Sequence, residues 1–135
     1  MHYGDFVLLQ SCRTKQTLVF DMSDRITTHD EAYAVTATAD VGAVARSVVQ
    51  IISAKGDAKG PVCFGDEIRV QANPHICNKN LFLHSTPVTP MVFARFSRQQ
   101  EVCLHTKPNY NTVWKILPGS GLLKARAGQP IMGSE

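Results

Sequence analysis

Two stretches of the chain are nearly alike, and this repetition constrains the fold more than any other feature. Residues 2–9 read His-Tyr-Gly-Asp-Phe-Val-Leu-Leu, and residues 63–70 read Cys-Phe-Gly-Asp-Glu-Ile-Arg-Val, 61 positions later. The glycine of each unit can adopt the positive φ that a tight entry into a strand requires. The aspartate is expected to cap the turn by accepting hydrogen bonds from backbone N–H groups just after it. Such repetition is typical of a fold built from duplicated supersecondary units.

Three further pairs of segments follow these units in the same order. They are short, rich in Val, Ile, Leu and Phe, and bounded by turn residues, which predicts β-strands. The pairs are residues 15–20 with 79–84 at an offset of 64, residues 34–38 with 101–105 at an offset of 67, and residues 47–52 with 112–117 at an offset of 65.

One segment has a helical alternative. Apolar residues within residues 41–52 have the spacing of an amphipathic helix. The second half of the segment is rich in β-branched residues, which favour strands, and it matches residues 112–117. The strand is therefore the preferred prediction for that half.

Four strands per unit is the content of one third of a β-trefoil, in which three units close a barrel. The predicted fold class is therefore all-β and β-trefoil-like, with a first repeat over residues 1–60 and a second over residues 61–118. Residues 119–135 form a linker and the start of a third repeat, whose Met-Gly-Ser at 132–134 follows Phe-Gly-Asp by 68 positions. Two units leave open sheet edges. The remaining strands are therefore expected from another chain, from sequence lost beyond residue 135, or from exchange between copies. The alternative is a complete open sandwich of eight strands.

The order and spacing of these motifs resemble one family. The motifs are Tyr3-Gly4-Asp5 with its strand, Phe64-Gly65-Asp66 with its strand, and the segment from Trp114 to Pro118. Together they resemble the cilia- and flagella-associated protein 161 family. The resemblance covers residues 1–118 and extends more weakly over residues 128–132. The resemblance implies a β-trefoil of the MIR type. It also implies a cytoskeletal location inside the lumen of the doublet microtubule of the ciliary or flagellar axoneme. The implied partners are tubulin and other microtubule inner proteins.

One partner-binding surface is predicted from strand alternation. If Val7 and Leu9 point inward, Phe6 and Leu8 point outward, where the second repeat has polar residues. Apolar residues on such a face suggest a covered interface. The alternative is that segments belonging to the protein itself cover them.

Four basic loop residues are predicted as contacts for acidic tubulin surfaces. The alternative is solvated charges, because exposed ion pairs typically contribute less than about 1 kcal/mol. Trp114, which aligns with Val49, is assigned to the core. The four basic residues are Arg13, Lys15, Arg95 and Arg98.

The bulk composition excludes several classes of function. The net charge is +3 and no basic run is present, so the electrostatic footprint of a nucleic-acid binder is missing. No apolar run reaches the roughly 20 residues that span a bilayer, so no membrane partner is expected. The four cysteines lie far apart, without disulfide or zinc spacing, which favours a reduced, intracellular setting.

Neither an enzyme nor a cofactor is predicted. Cys103 and His105 share a strand face, but a thiol nucleophile needs a converging base and an orienting group. Cys63, His75, Cys77 and His84 do not match the spacing of a zinc site. The second functional hypothesis is a trefoil module that binds a carbohydrate or small ligand, for which Tyr33 and Tyr110 are the aromatic residues near loops.

Overall fold

The computed structural model describes residues 1–25, 32–39, 46–56, 58–75, 79–87, 100, 102–118 and 128–131, with the backbone alone for residues 21–25. This part of the chain is all-β apart from one short 3-10 turn, η1, at Tyr110–Thr112. The strands are β1 Phe6–Val7, β2 Thr17–Arg25, β3 Ala32–Thr38, β4 Val49–Ser53, β5 Glu67–Ala72, β6 Phe82–Ser85, β7 Val102–His105 and β8 Trp114–Lys115.

All of these strands belong to one antiparallel sheet, curled into a half-barrel. Its order is β1-β4-β5-β6-β7-β3-β2, and β8 adds to β5 beside the start of that strand. The eight-stranded sandwich would divide the strands between two sheets, whereas the described strands form one. The prediction of an all-β fold is confirmed.

The strand β5 shows why this sequence forms a sheet with one buried face. Ile68 and Val70 are 1% and 4% exposed, while Glu67, Arg69 and Gln71, which alternate with them, are only partly buried. Strand alternation sends successive side chains to opposite faces, so the apolar residues reach the core. That core gathers residues from both halves of the chain: Phe20, Tyr33, Val49, Ile51, Val62, Phe64, Ile68, Val70, Ala72, Leu81, Leu83, Leu104 and Ile131.

The segment after β1 continues toward β2. Gln10 forms an isolated bridge with Thr17, and the backbone N–H of Leu18 donates to the Leu9 carbonyl at 2.8 Å. The two ends of the strand order are therefore connected through residues 9–18, which is consistent with the curl of the sheet.

The strand predicted over residues 112–117 is observed only at Trp114–Lys115, so the prediction began two residues too early and ended two residues too late. Thr112 ends η1, and its hydroxyl accepts a hydrogen bond from the Asn109 N–H at 3.1 Å while the Asn109 side chain accepts from the Asn111 N–H at 2.9 Å. This reciprocal capping delays the strand, because Asn and Thr satisfy backbone groups at a helix start. In residues 41–52, Val49–Ser53 is a strand as predicted, and residues 41–45 lie outside the described residues.

Candidate functional site

The two Gly-Asp turns are built from the same backbone geometry. Gly4 has φ of 92° and Gly65 has φ of 90°. The Asp5 N–H donates to the His2 carbonyl, and the Asp66 N–H donates to the Cys63 carbonyl, each at 3.1 Å. A turn closed in this way with positive φ at its third residue favours glycine there. The predicted role of both glycines is confirmed.

The aspartates cap these turns from the opposite direction to the one predicted. An Asp5 carboxylate oxygen accepts from the His2 N–H at 2.8 Å, and an Asp66 oxygen accepts from the Cys63 N–H at 2.9 Å. Each carboxylate therefore binds the N–H three residues before it rather than one after it. The residue following each aspartate enters its strand directly, so the later N–H groups serve the sheet ladders.

Asp66 also connects the two turns. The Tyr3 hydroxyl donates to the same Asp66 oxygen at 2.9 Å. Burial, followed by this hydrogen bond and the carboxylate charge, raises the pKa of Tyr3 to about 12. The phenol therefore stays a donor over the neutral range, and the first turn is attached to the second.

Three backbone hydrogen bonds form a closed ring around Met1, Val62 and Ile131. The Val62 N–H donates to the Met1 carbonyl at 2.9 Å, and the Ile131 N–H donates to the Val62 carbonyl at 2.8 Å. The Met1 ammonium completes the ring by donating to the Ile131 carbonyl at 2.8 Å. Residues from the two turn regions are thus joined to a third segment, residues 128–131. That segment also pairs with the second turn through a bridge between Cys63 and Pro130.

Strands β1 and β8 have open edges in the described part of the chain. The pairs β1-β4, β4-β5 and β5-β8 form a continuous antiparallel series, and β1 and β8 are its ends. Phe6 on β1 is 45% exposed and Leu8 just after it is 40% exposed, while Leu117 just after β8 is 59% exposed. Val7 and Leu9 pack against the core instead. The outward orientation predicted for Phe6 and Leu8 is confirmed, and we use the name open-edge surface for the exposed apolar residues at these two edges, Phe6, Leu8 and Leu117.

Of the residues considered for a zinc site, the three that the structure describes, Cys63, His75 and His84, do not form one. His75 is exposed and lies against Phe6, with ring centroids 5.6 Å apart, and Cys77 lies outside the described residues. Among the described side chains there is no group of three or more His, Cys, Asp or Glu that could hold a metal ion.

Cys103 is opposite a different histidine from the one considered in the sequence. The register pairs His84 with Cys103 across β6 and β7, and the thiol sulfur lies 3.6 Å from the His84 Nδ1. His105 stacks on His84 with centroids 5.0 Å apart. Cys103 and His84 are 1% and 4% exposed, so this cluster belongs to the sheet interior and presents no accessible thiol.

The basic residues predicted to bind tubulin are only partly observed. Arg13 and Lys15 are exposed on the turn before β2, and Lys15 has a φ of 61°. The Lys15 N–H donates to the Ser11 carbonyl at 2.8 Å, so the backbone of this turn is closed. Arg95 and Arg98 lie outside the described residues.

Trp114 lies at the boundary of the core rather than inside it. The ring is partly buried against the core, and its N–H donates to the Leu83 carbonyl at 2.8 Å. Val49, with which it aligns, is 0% exposed. The larger ring extends from β8 toward β6, which leaves part of its surface accessible.

Comparison with known proteins does not identify a family for this chain. No protein-family model matches the sequence, and no curated protein matches it. Among the described residues, no helix has the length and apolar character needed to cross a membrane.

Proposed function

We propose that this chain is a β-trefoil-like structural module that binds the inner wall of the ciliary doublet microtubule and neighbouring inner proteins. The single observation that carries the binding proposal is the open-edge surface, where apolar side chains lie beside two strand edges. The luminal location follows from the resemblance to the cilia- and flagella-associated protein 161 family.

The arrangement of strands supports the trefoil as the finer description of the fold. In each half, the outer strands join the series β1-β4-β5-β8, and the inner strands form a hairpin, β2-β3 or β6-β7. The hairpins pair with each other through β3 and β7. A trefoil divides its strands in this way between a barrel and a hairpin cap.

The ring of Met1, Val62 and Ile131 supports a third unit. Two related units placed about a twofold axis exchange hydrogen bonds reciprocally, whereas here each residue donates to the next and the third returns to the first. A cyclic set of three hydrogen bonds is the pattern expected for three similar units arranged around an approximate threefold axis. Val62 follows Met1 by 61 positions and Ile131 follows Val62 by 69, so residue 131 would open the third unit.

The open edges favour completion of the sheet by further strands, supplied by another chain, by a third repeat or by exchange between copies. Strand edges with unpaired N–H and C=O groups are templates for strand addition. Exposed apolar residues beside such edges mark interaction surfaces. Strands inserted between β1 and β8 would pair both edges and cover Phe6 and Leu117. Binding to the microtubule wall would then use shape and loops on a rigid scaffold and requires no catalytic chemistry.

The location is tested by fractionating isolated cilia and quantifying the protein by mass spectrometry. We expect the protein to remain with the doublets through high-salt extraction and to be released only when the microtubule wall is disrupted. Recovery in the soluble membrane-plus-matrix fraction, or absence from cilia, would contradict the luminal location.

The docking surface is tested by Phe6→Asp in a tagged copy of the protein expressed in ciliated cells. We expect incorporation into doublets to be lost while the circular dichroism of the purified variant is unchanged, because Phe6 is 45% exposed. Val102→Asp is the matched control, since Val102 is 42% exposed on β7, which pairs with neither β1 nor β8. Unfolding of the Phe6 variant would place that side chain in the core. Equal incorporation of both variants would remove the open-edge surface from the interface.

A further inference from the structure

A separate cleft of about 510 Å³ lies beside η1, between the end of β6 and the outer face of β5 and β8. Its volume is in the range of small-ligand sites, about 300–1,000 Å³. Its lining includes two aromatic rings, two side-chain amides and one pair of opposite charges: Tyr110, Trp114, Gln100, Asn111, Glu67 and Lys115. None of these residues belongs to the open-edge surface.

Tyr110 presents an almost fully exposed ring on a turn whose backbone is closed by hydrogen bonds. It begins η1 and is 88% exposed. The turn beneath it is fixed by the capping of Asn109 and Thr112, and the buried Thr112 hydroxyl also accepts from the Arg69 Nε at 3.0 Å. A Tyr ring held in this way offers a large contact area with little conformational entropy to lose on binding. Among the described residues it packs on no core, so its ring is accessible to a ligand.

Trp114 gives the cleft a second apolar surface. The indole N–H, its only donor, is already used by the Leu83 carbonyl at 2.8 Å, so the accessible part of the indole offers apolar contact and not a hydrogen bond. Aromatic faces combined with a few convergent polar groups are the usual composition of a small-molecule site. The two rings therefore suit a ligand that has an apolar face of its own.

The polar groups of the cleft are available for hydrogen bonds. The Asn111 amide makes no side-chain hydrogen bond to the described residues, and Gln100 uses its amide N–H on the Ser85 hydroxyl at 2.8 Å, which leaves its carbonyl oxygen. Together they provide donors and acceptors.

The charges in the lining balance each other. Glu67 and Lys115 are cross-strand partners on β5 and β8, and the nearest cation to the Glu67 carboxylate is the exposed Lys55 at 3.9 Å. The carboxylate and the ammonium of the lining cancel, and the Lys55 side chain that pairs with Glu67 is 76% exposed and screened by solvent, so no strong field selects an anion or a cation. They can instead accept from and donate to neighbouring hydroxyl groups of a neutral ligand.

We infer that this cleft binds a neutral saccharide, with a sugar ring stacked on Tyr110 and its hydroxyl groups hydrogen-bonded to Asn111, Gln100, Glu67 and Lys115. Sugar rings combine an apolar C–H face with a rim of hydroxyl groups. The lining of the cleft matches this combination, because it has two aromatic side chains together with polar side chains whose formal charges sum to zero. A site of this size and openness is expected to bind a monosaccharide with a Kd of about 1 mM, equivalent to about −4 kcal/mol.

The tryptophan makes the test direct, because Trp114 is the only tryptophan of the chain. The intrinsic fluorescence of the full chain is titrated with the methyl glycosides of glucose, galactose and mannose and with N-acetylglucosamine. Amide chemical shifts are followed in parallel. Saturable changes in Trp114 emission, together with shifts at residues 110–115, are expected with at least one of these probes.

Two variants and two charged sugars complete the test. Tyr110→Ala is expected to weaken binding at least about tenfold, equivalent to about 1.4 kcal/mol, without a change in circular dichroism, because the side chain is exposed. His2→Ala removes another exposed ring outside the cleft and is expected to leave the affinity unchanged. Absence of saturation with all four probes would overturn the inference, as would unchanged affinity in Tyr110→Ala. Tighter binding of glucuronate or glucosamine than of the methyl glucoside would overturn the assignment to neutral sugars.

Discussion

The segments that follow the two Gly-Asp turns begin alike and end in different environments. Both turns have the same glycine conformation and the same closing hydrogen bonds. Beyond them, β1 spans two residues and pairs with β4, whereas β5 spans six residues and pairs with β4, β6 and β8. The local sequence therefore determines the turn, and the neighbouring strands determine how far the strand continues.

The same contrast explains the exposure of the two strands. Ile68 on β5 is 1% exposed, and its counterpart 61 positions earlier, Val7, is only partly buried. Phe6 corresponds to Glu67 and leaves an apolar ring at the surface of an open edge. A repeated sequence unit can thus provide a core strand in one half and an accessible strand in the other.

The largest expected effect comes from removing the buried side chain of β5. Ile68→Ala is expected to lower the free energy of unfolding by about 2–5 kcal/mol, because it leaves a cavity in a packed core. Val7→Ala, its counterpart in β1, is expected to cost less than about 1.5 kcal/mol, since a partly buried site loses less contact. Urea denaturation measures both. Equal losses would contradict the contrast between the strands.

The second prediction concerns the two aspartates. Asp66→Ala is expected to cost about 3 kcal/mol and Asp5→Ala about 1 kcal/mol, because Asp66 accepts two hydrogen bonds and Asp5 accepts one. Asp66→Asn is the control, since it keeps an acceptor oxygen at the turn. A larger loss for Asp5→Ala than for Asp66→Ala would show that the connection between the turns contributes little.

The smallest effect is expected from Tyr3→Phe, at about 1 kcal/mol near neutral pH, because it removes one hydrogen bond to Asp66. The pKa of Tyr3 is about 12 in the folded protein, above the ordinary value of 10.0. A raised pKa stabilises the fold below the unfolded value and loses that contribution as the pH rises toward the folded value. The stability difference between the parent chain and Tyr3→Phe should therefore shrink between about pH 10 and about pH 12. A difference that stays constant over this range would exclude the phenol as its source.

The sheet could be predicted largely from local sequence. Alternating apolar residues predicted β5, because burial on one face of a strand requires such spacing. The run of β-branched residues predicted β4. Strand alternation alone would place Arg69 on the solvent face of β5, yet it is partly buried and donates to the Thr112 hydroxyl at 3.0 Å and to the Ala54 carbonyl at 3.2 Å. Its position depends on η1, which lies more than 40 residues away in the chain.

The features that escaped prediction depend on register and on distant segments. Cys103 lies opposite His84 because the β6-β7 ladder aligns them, and the sequence alone suggested His105. The cleft forms where η1 meets the end of β6, so its composition cannot be read from one segment. One local signal was present: Asn109 followed three residues later by Thr112 is a capping pattern that would have placed η1 and the exposed Tyr110.

The ring of Met1, Val62 and Ile131 has a consequence for how the chain folds. Its hydrogen bonds join residues separated by as many as 130 positions. Such contacts form only after long loops have closed, and the entropy of closure is lost before the contacts can compensate for it. The ring is therefore expected to form late, after the turns and hairpins that need little loop closure. Folding in the range of milliseconds to seconds is expected, as for other proteins dominated by non-local β pairing.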